Sequence, residues 1–270
     1  RPGAVAAAAA KGGPRCRAPR PCLYRFGSRL VRALSRLVTT HIRGHVDIGP
    51  DAGRAHVEAC LGVREDFRDS MSVQLVAFPQ SGILASPGVY ALMDEALAMG
   101  VDIVGGLDPE LVDRDRDGHV NAVFRLAEKH GAGVDMHIHE PGQTGLASIR
   151  AAAAGARSLG MGGRVAISHA YALGQAGGAE RDELLETLAE LGISVLTSAP
   201  GATPFPPVEA LLDAGVAYAA VSDNIQDMWS PWGAGDQLGR AALLAYRSNF
   251  RADGPILRCF DMVTGHAAAV

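Results

Sequence analysis

Val134-Asp135-Met136-His137-Ile138-His139-Glu140 reads as a short strand that closes in two histidines and a carboxylate. Strand side chains alternate between faces. His137 and His139 are therefore expected on one side and Ile138 and Glu140 on the other, unless the strand stops at the turn. Histidine is the commonest metal ligand, and a nearby glutamate can carry protons for a metal-activated water. An H-x-H pair alone is a weak signal, because a polar strand end without chemistry has the same spelling. The surrounding chain decides between the two.

Outward from this stretch, strand-like and helix-like segments alternate. Apolar, β-branched runs predict strands over 39–47, 72–79, 101–107, from 134, and over 164–169, 193–197 and 217–222. Helical spacing predicts helices over 29–37, 52–67, 88–99, 118–131, 145–159, 181–191, 207–214 and 236–246. Pro79 stops one strand, and Gly100 follows one helix in the manner of a C-cap. The repeat of roughly 25 to 30 residues is that of a βα unit. Polar residues gather where the strands end: Asp47, Gln80, Asp108, His137 to Glu140, His169 and Asp223. A (β/α)8 TIM-type barrel builds its active site at that end of its strands. The rival, a doubly wound sheet, carries G-x-G-x-x-G after its first strand, and none is found there. The expected fold is therefore an α/β barrel of the (β/α)8 type, incomplete by its first strand, since seven strands are predicted.

Composition narrows the function. The chain has 270 residues, 48% of them apolar, enough for a sizeable core. The net charge of −4 gives no reason to expect nucleic acid or an anionic membrane as partner. No apolar run is long enough to span a bilayer. Cys16, Cys22, Cys60 and Cys259 lack metal-finger spacing and read as buried or free thiols of a reducing cytoplasm. No acidic residue precedes Asp47, and residues 1–26 are rich in Ala, Gly, Pro and Arg without periodicity. This segment is expected to be poorly ordered, perched before a domain over 27–270; an Arg-rich start also has the look of a transit peptide. Asp113-Arg114-Asp115-Arg116-Asp117-Gly118 copies the opening of a calcium loop, but Phe124 stands where the bidentate Glu belongs. The run reads instead as the polar lead-in to the next helix.

Five pieces, in order, resemble the cytosine-deaminase-like branch of the amidohydrolase superfamily. They are Thr40-His41-Ile42-Arg43-Gly44-His45-Val46-Asp47; Val76-Ala77-Phe78-Pro79-Gln80-Ser81-Gly82-Ile83; Val134 to Glu140; Ser168-His169; and Ser222-Asp223-Asn224 with Trp229-Ser230-Pro231. The resemblance implies a hydrolase that cleaves a non-peptide C–N bond of a cyclic amidine or amide, most simply by deaminating a cytosine-like heterocycle. It implies one divalent metal ion, iron or zinc, with His137 and Asp223 among its ligands. Glu140 matches the proton shuttle, His169 the histidine that orients the attacking water, and Gln80 the side chain that reads the amide edge of the substrate. The expected partner is a small heterocycle. His169 can alternatively be a hydrogen-bonded strand-end histidine, Asp223 a helix cap, and Gln80 a loop residue. Trp229 suits a pocket wall that stacks on a planar ring. His139 is expected behind the ligands rather than among them, and His41, Arg43 and His45 in packing or hydrogen bonding.

The chain departs from that pattern in two places. No histidine precedes His41, so the H-x-H pair of a first strand is missing, and the end of the chain reads as mid-helix. Zinc normally has at least three protein ligands, so His137 and Asp223 alone are expected to hold metal weakly. A sheet lacking a strand has unpaired edges, which the N-terminal segment or a second chain could cover; that admits a homo-oligomer. Second, Asn224 stands where cytosine deaminases carry an acid, which leaves other ring substrates, triazines included, open. An inactive barrel fragment with a binding role is the alternative reading, and a metal-free lyase or isomerase using Glu140 and His169 a minor one.

Overall fold

The computed structural model describes residues 20–227 and 229–270. It divides into two compact units, one ending at Asp135 and one spanning Met136–Val270.

The first unit holds α1 (Arg20–Arg36), β1 (His41–Asp47), α2 (Ala55–Phe67), β2 (Ser72–Phe78), α3 (Val89–Ala98), β3 (Ile103–Leu107) and α4 (Arg116–His130). β1 and β2 pair in parallel from His41 with Ser72 to Asp47 with Phe78, and β2 continues onto β3 through Val76 with Ile103. Every residue of β3 is buried, the mark of a parallel strand covered on both faces. Gly105 is required there, since a Cβ would lie 2.7 Å from the Ala77 carbonyl oxygen. α1 begins at Arg20 and runs through residue 26, the expected end of the N-terminal segment. Val31, Val63 and Met71 form a buried cluster on which Tyr24 packs, so the helix has apolar reason to start early. The rest of that predicted segment, residues 1–19 with Cys16, lies outside the described residues. Gly100 takes φ +104 after α3 and donates its N–H to Leu97, closing the helix as expected. A single wide turn, Pro109–Asp113, leads from β3 towards α4, which Asp115 caps by accepting from the Gly118 N–H. Two carboxylates of the calcium-like run are thus spent on backbone amides, those held by Asp113 being described below.

β4 (Gly133–Ile138) carries the chain from one unit into the next. The second unit continues with α5 (Gly142–Ser158), β5 (Val165–His169), α6 (Gly178–Glu190), β6 (Ser194–Thr197), α7 (Val208–Asp213), β7 (Tyr218–Ala220), α8 (Gln237–Arg247) and α9 (Asp253–Asp261). β5 pairs in parallel with β6, and β6 with β7. Among the described residues seven strands follow one another in the order β1-β2-β3-β4-β5-β6-β7. Strand order that never reverses is barrel topology and excludes the doubly wound arrangement, which turns back at a switch point. Among the described residues no helix is long and apolar enough to cross a membrane.

Candidate active site

β4 ends at Ile138, so His139 and Glu140 stand just beyond the last paired residue. The strand's alternation of faces therefore does not bind these two residues; His137 and His139 are half-buried, while Ile138 and Glu140 are fully buried. Glu140 is 0% exposed, and its carboxylate accepts the Ser148 hydroxyl from α5. Gly145, in the first turn of α5, makes that approach feasible, because a Cβ there would collide with the Glu140 carbonyl.

The end of β5 supplies the neighbouring imidazole. His169 is 6% exposed and takes φ +72, and Ala170 follows at φ +47. Two consecutive left-handed residues without glycine cost on the order of 1–3 kcal/mol each. Burial of Ala170, Ala172 and Leu173 at 0% exposure holds the turn in place. The kink sets the His169 ring against its neighbours, with ring centroids 4.9 Å from His137 and 4.2 Å from His139. Tyr171 joins them, its Oη 3.2 Å from His169 Nδ1 and its ring 5.6 Å from that of His139. His137 and His169, predicted on separate strands, are therefore brought together. His139, expected in a supporting place, stacks on His169.

Asp223 follows β7, exposed and at φ +57. Its Oδ2 accepts the Ser198 hydroxyl at 3.0 Å, from the end of β6. Arg240 on α8 ties these two strand ends, donating to the carbonyls of Ser198 and, at 2.8 Å, of Ser222. Burial pulls the Arg240 guanidinium below its ordinary value, and the Asp223 charge counteracts it. Asn224 and Trp229 meet through a third residue. The Asn224 amide donates to Asp227 at 2.6 Å, and the other Asp227 oxygen accepts the backbone N–H groups of Trp229 and Ser230. Trp229 is 40% exposed, available for a planar partner.

In the first unit, Gln80 is half-buried just beyond β2. Arg43 donates to Gln74 at 2.8 Å and to Asp135 at 3.2 Å, and His45 Nε2 lies 3.6 Å from the same carboxylate. Arg43 thus takes up hydrogen bonding as expected, and His45 packs edge-on against the Phe78 ring, centroids 5.4 Å apart. Asp135 is absent from the predicted site residues, although a carboxylate inside an apolar strand, two positions before His137 on the same strand face, is a readable signal. It is 0% exposed, and a buried carboxylate requires partners of this kind. Tyr171, Ser148, Ser198 and Asp227 carried no such signal, because their partners are distant or follow only from loop conformation.

Comparison with known proteins identifies the family and the fold. The Amidohydrolase family model (Amidohydro_3) matches residues 23–270. The chain is 33% identical, over 86% of its length, to N-isopropylammelide isopropyl amidohydrolase of Pseudomonas sp. (strain ADP) and covers 58% of that protein. It superposes on N-isopropylammelide isopropylaminohydrolase from Burkholderia multivorans ATCC 17616 with a TM-score of 0.88 at 43% identity, covering 90% of this chain and 62% of the other. It also superposes on 5-methylcytosine deaminase from Klebsiella pneumoniae, liganded with phosphonocytosine, with a TM-score of 0.79 at 29% identity, covering 90% and 63%. The chain thus spans less than two thirds of the length of each of these relatives.

Proposed function

This chain belongs to the amidohydrolase family, and from that premise we propose that the whole protein hydrolyses the C–N bond of an amino- or alkylamino-substituted ring. The ring is a cytosine-like pyrimidine or a related triazine. The observation that carries the reading is the meeting of His137 and His169 at the ends of β4 and β5, with the buried Glu140 three residues past His137. The identities favour keeping both ring classes: the triazine-named relatives stand at 33% and 43%, the 5-methylcytosine deaminase at 29%.

His137 and Asp223 are the residues we assign to a divalent ion, iron or zinc. Imidazole nitrogen and carboxylate oxygen suit either metal. Ser198 fixes one oxygen of the Asp223 carboxylate, the supporting contact that ligands of this kind use to hold their orientation. When bound, such an ion supplies Lewis acidity and brings the pKa of a coordinated water to about 7. Glu140 takes one proton of the attacking water and delivers it to the ring nitrogen, then takes the second, from the hydroxyl of the addition product, and delivers it to the amine as the C–N bond breaks and the C=O bond forms. Its burial keeps bulk water from competing for that proton, and the Ser148 hydroxyl holds one of its oxygens. His169, fixed by Tyr171 and its strained turn, orients the water. Gln80 reads the amide edge of the ring; Asn224 contacts its polar rim and Trp229 covers its face. The free thiols Cys22, Cys60 and Cys259 support a cytoplasmic location.

The test is ammonia or amine release by the full-length protein with cytosine, 5-methylcytosine and N-isopropylammelide, alongside Glu140→Gln. That substitution should lower turnover by roughly 10² to 10⁴-fold while metal content stays at the wild-type level. Undiminished turnover would remove Glu140 from the mechanism.

A further inference from the structure

Asp113 and His119 form a buried pair outside the residues assigned above. Both side chains are closed off from solvent, with His119 Nδ1 2.6 Å from Asp113 Oδ2. The Asp113 carboxylate also accepts three consecutive backbone amides of the loop after β2: Ile83 and Leu84 at 3.1 Å on Oδ2 and Ala85 at 2.9 Å on Oδ1. On the far side of the imidazole, the Leu107 N–H at the end of β3 points at His119 Nε2, 3.2 Å away. Nε2 is therefore the acceptor, the ring proton sits on Nδ1, and that proton is donated to Asp113. Gly82 takes φ +87 against this carboxylate, and any Cβ there would overlap it.

The grip begins three residues after Gln80. Residues 79–88 contain no helix or strand, so their conformation is set by such contacts instead of by a ladder. A charge-assisted carboxylate with several N–H partners is the strong form of that contact. We propose that Asp113 and His119 are positioning residues that fix the loop carrying Gln80 in its substrate-reading conformation. The proposal rests on the assignment of Gln80 to the amide edge of the ring. Neither residue touches substrate; their effect is to settle the loop before substrate arrives, so that binding does not bear the cost of ordering it.

Two substitutions at residue 119 separate this role from simple packing. Asparagine places an N–H donor where Nδ1 stands, and so keeps the bond to Asp113 while losing the acceptor for Leu107. Glutamine reaches the Nε2 position, and so keeps the Leu107 contact while losing the donor to Asp113. With the full-length protein and N-isopropylammelide or 5-methylcytosine, His119→Gln and Asp113→Asn should raise KM by about 10-fold with kcat within about 3-fold, the pattern of lost binding in ground and transition state alike. His119→Asn should keep the wild-type KM. Amide hydrogen exchange at Ile83, Leu84 and Ala85 should quicken in the first two variants and not in the third. Faster exchange with unchanged KM would reduce the pair to a structural staple and overturn the proposal, as would unchanged exchange. If the wild-type protein turns over neither compound, the functional reading itself falls and this proposal with it. Wild-type turnover with unaltered KM in the variants rejects this proposal alone.

Discussion

Asp113 shows how one side chain reports on its surroundings. Burial works to raise its carboxyl pKa, but the His119 hydrogen bond and the Ala85 and Leu84 amides together outweigh it, leaving the group below its ordinary 3.8. The sign of the consequence follows from linkage. A carboxylate depressed in the folded state contributes stability that is present above its unfolded pKa and lost as pH falls through the folded value. The wild-type protein should therefore lose stability below about pH 4 more steeply than Asp113→Asn, measured by thermal unfolding at stepped pH. Parallel curves would place the acid sensitivity elsewhere. Ser198 offers a second test at this scale. Ser198→Ala removes the hydroxyl that Asp223 accepts, and metal affinity in a competition titration should fall by roughly 10 to 100-fold. An unchanged affinity would show that the Asp223 carboxylate needs no such support. That His137, His169 and Glu140 lie at or just beyond strand ends could be read from the sequence, because strand ends in an alternating α/β chain announce themselves. Tyr171 and Ser198 could not, since nothing in their spacing shows that a left-handed turn or an adjacent strand end brings them to a partner.

At the scale of elements, glycines test the loops that present these residues. Gly82→Ala would place a methyl group against the Asp113 carboxylate at φ +87. Substitution at an incompatible backbone position costs more than about 1 kcal/mol, which denaturant unfolding should register; a stability equal to wild type would show that the loop is free to move away. The predicted strands and helices fall on the observed ones because apolar periodicity and burial coincide through most of the chain. The differences have local causes. β7 stops at Ala220, short of the predicted residue 222, where Arg240 takes the Ser222 carbonyl. α9 lies beyond the last predicted helix, yet it forms because Pro255 falls in its first turn, where a missing N–H is harmless. α1 starts before the predicted residue 29 because Tyr24 packs on the Val31–Val63–Met71 cluster.

Over the whole molecule, the unreversed strand order and the family match say the same thing that five short motifs in sequence suggested. Order along the chain was legible because each βα unit ends in its own polar residue. The identity of the ring was not, since Gln80, Asn224 and Trp229, the residues proposed to meet it, lie in segments without helix or strand, where spacing does not encode contacts. Cys60 and Cys259 extend the description beyond the site: burial pushes both thiols up to about 11, with Glu209 adding to the effect at Cys259. They should react slowly with iodoacetamide at pH 7 in the folded protein, since the thiolate is the reactive form; rapid labelling of either would contradict that burial. The most direct test of the central claim is the divalent-metal content of the full-length protein, measured by elemental analysis for the wild type, His137→Ala and Asp223→Ala. The account predicts one iron or zinc ion per chain in the wild type and its loss in both variants, with each variant still folded by circular dichroism. Stoichiometric metal retained in both variants would contradict it.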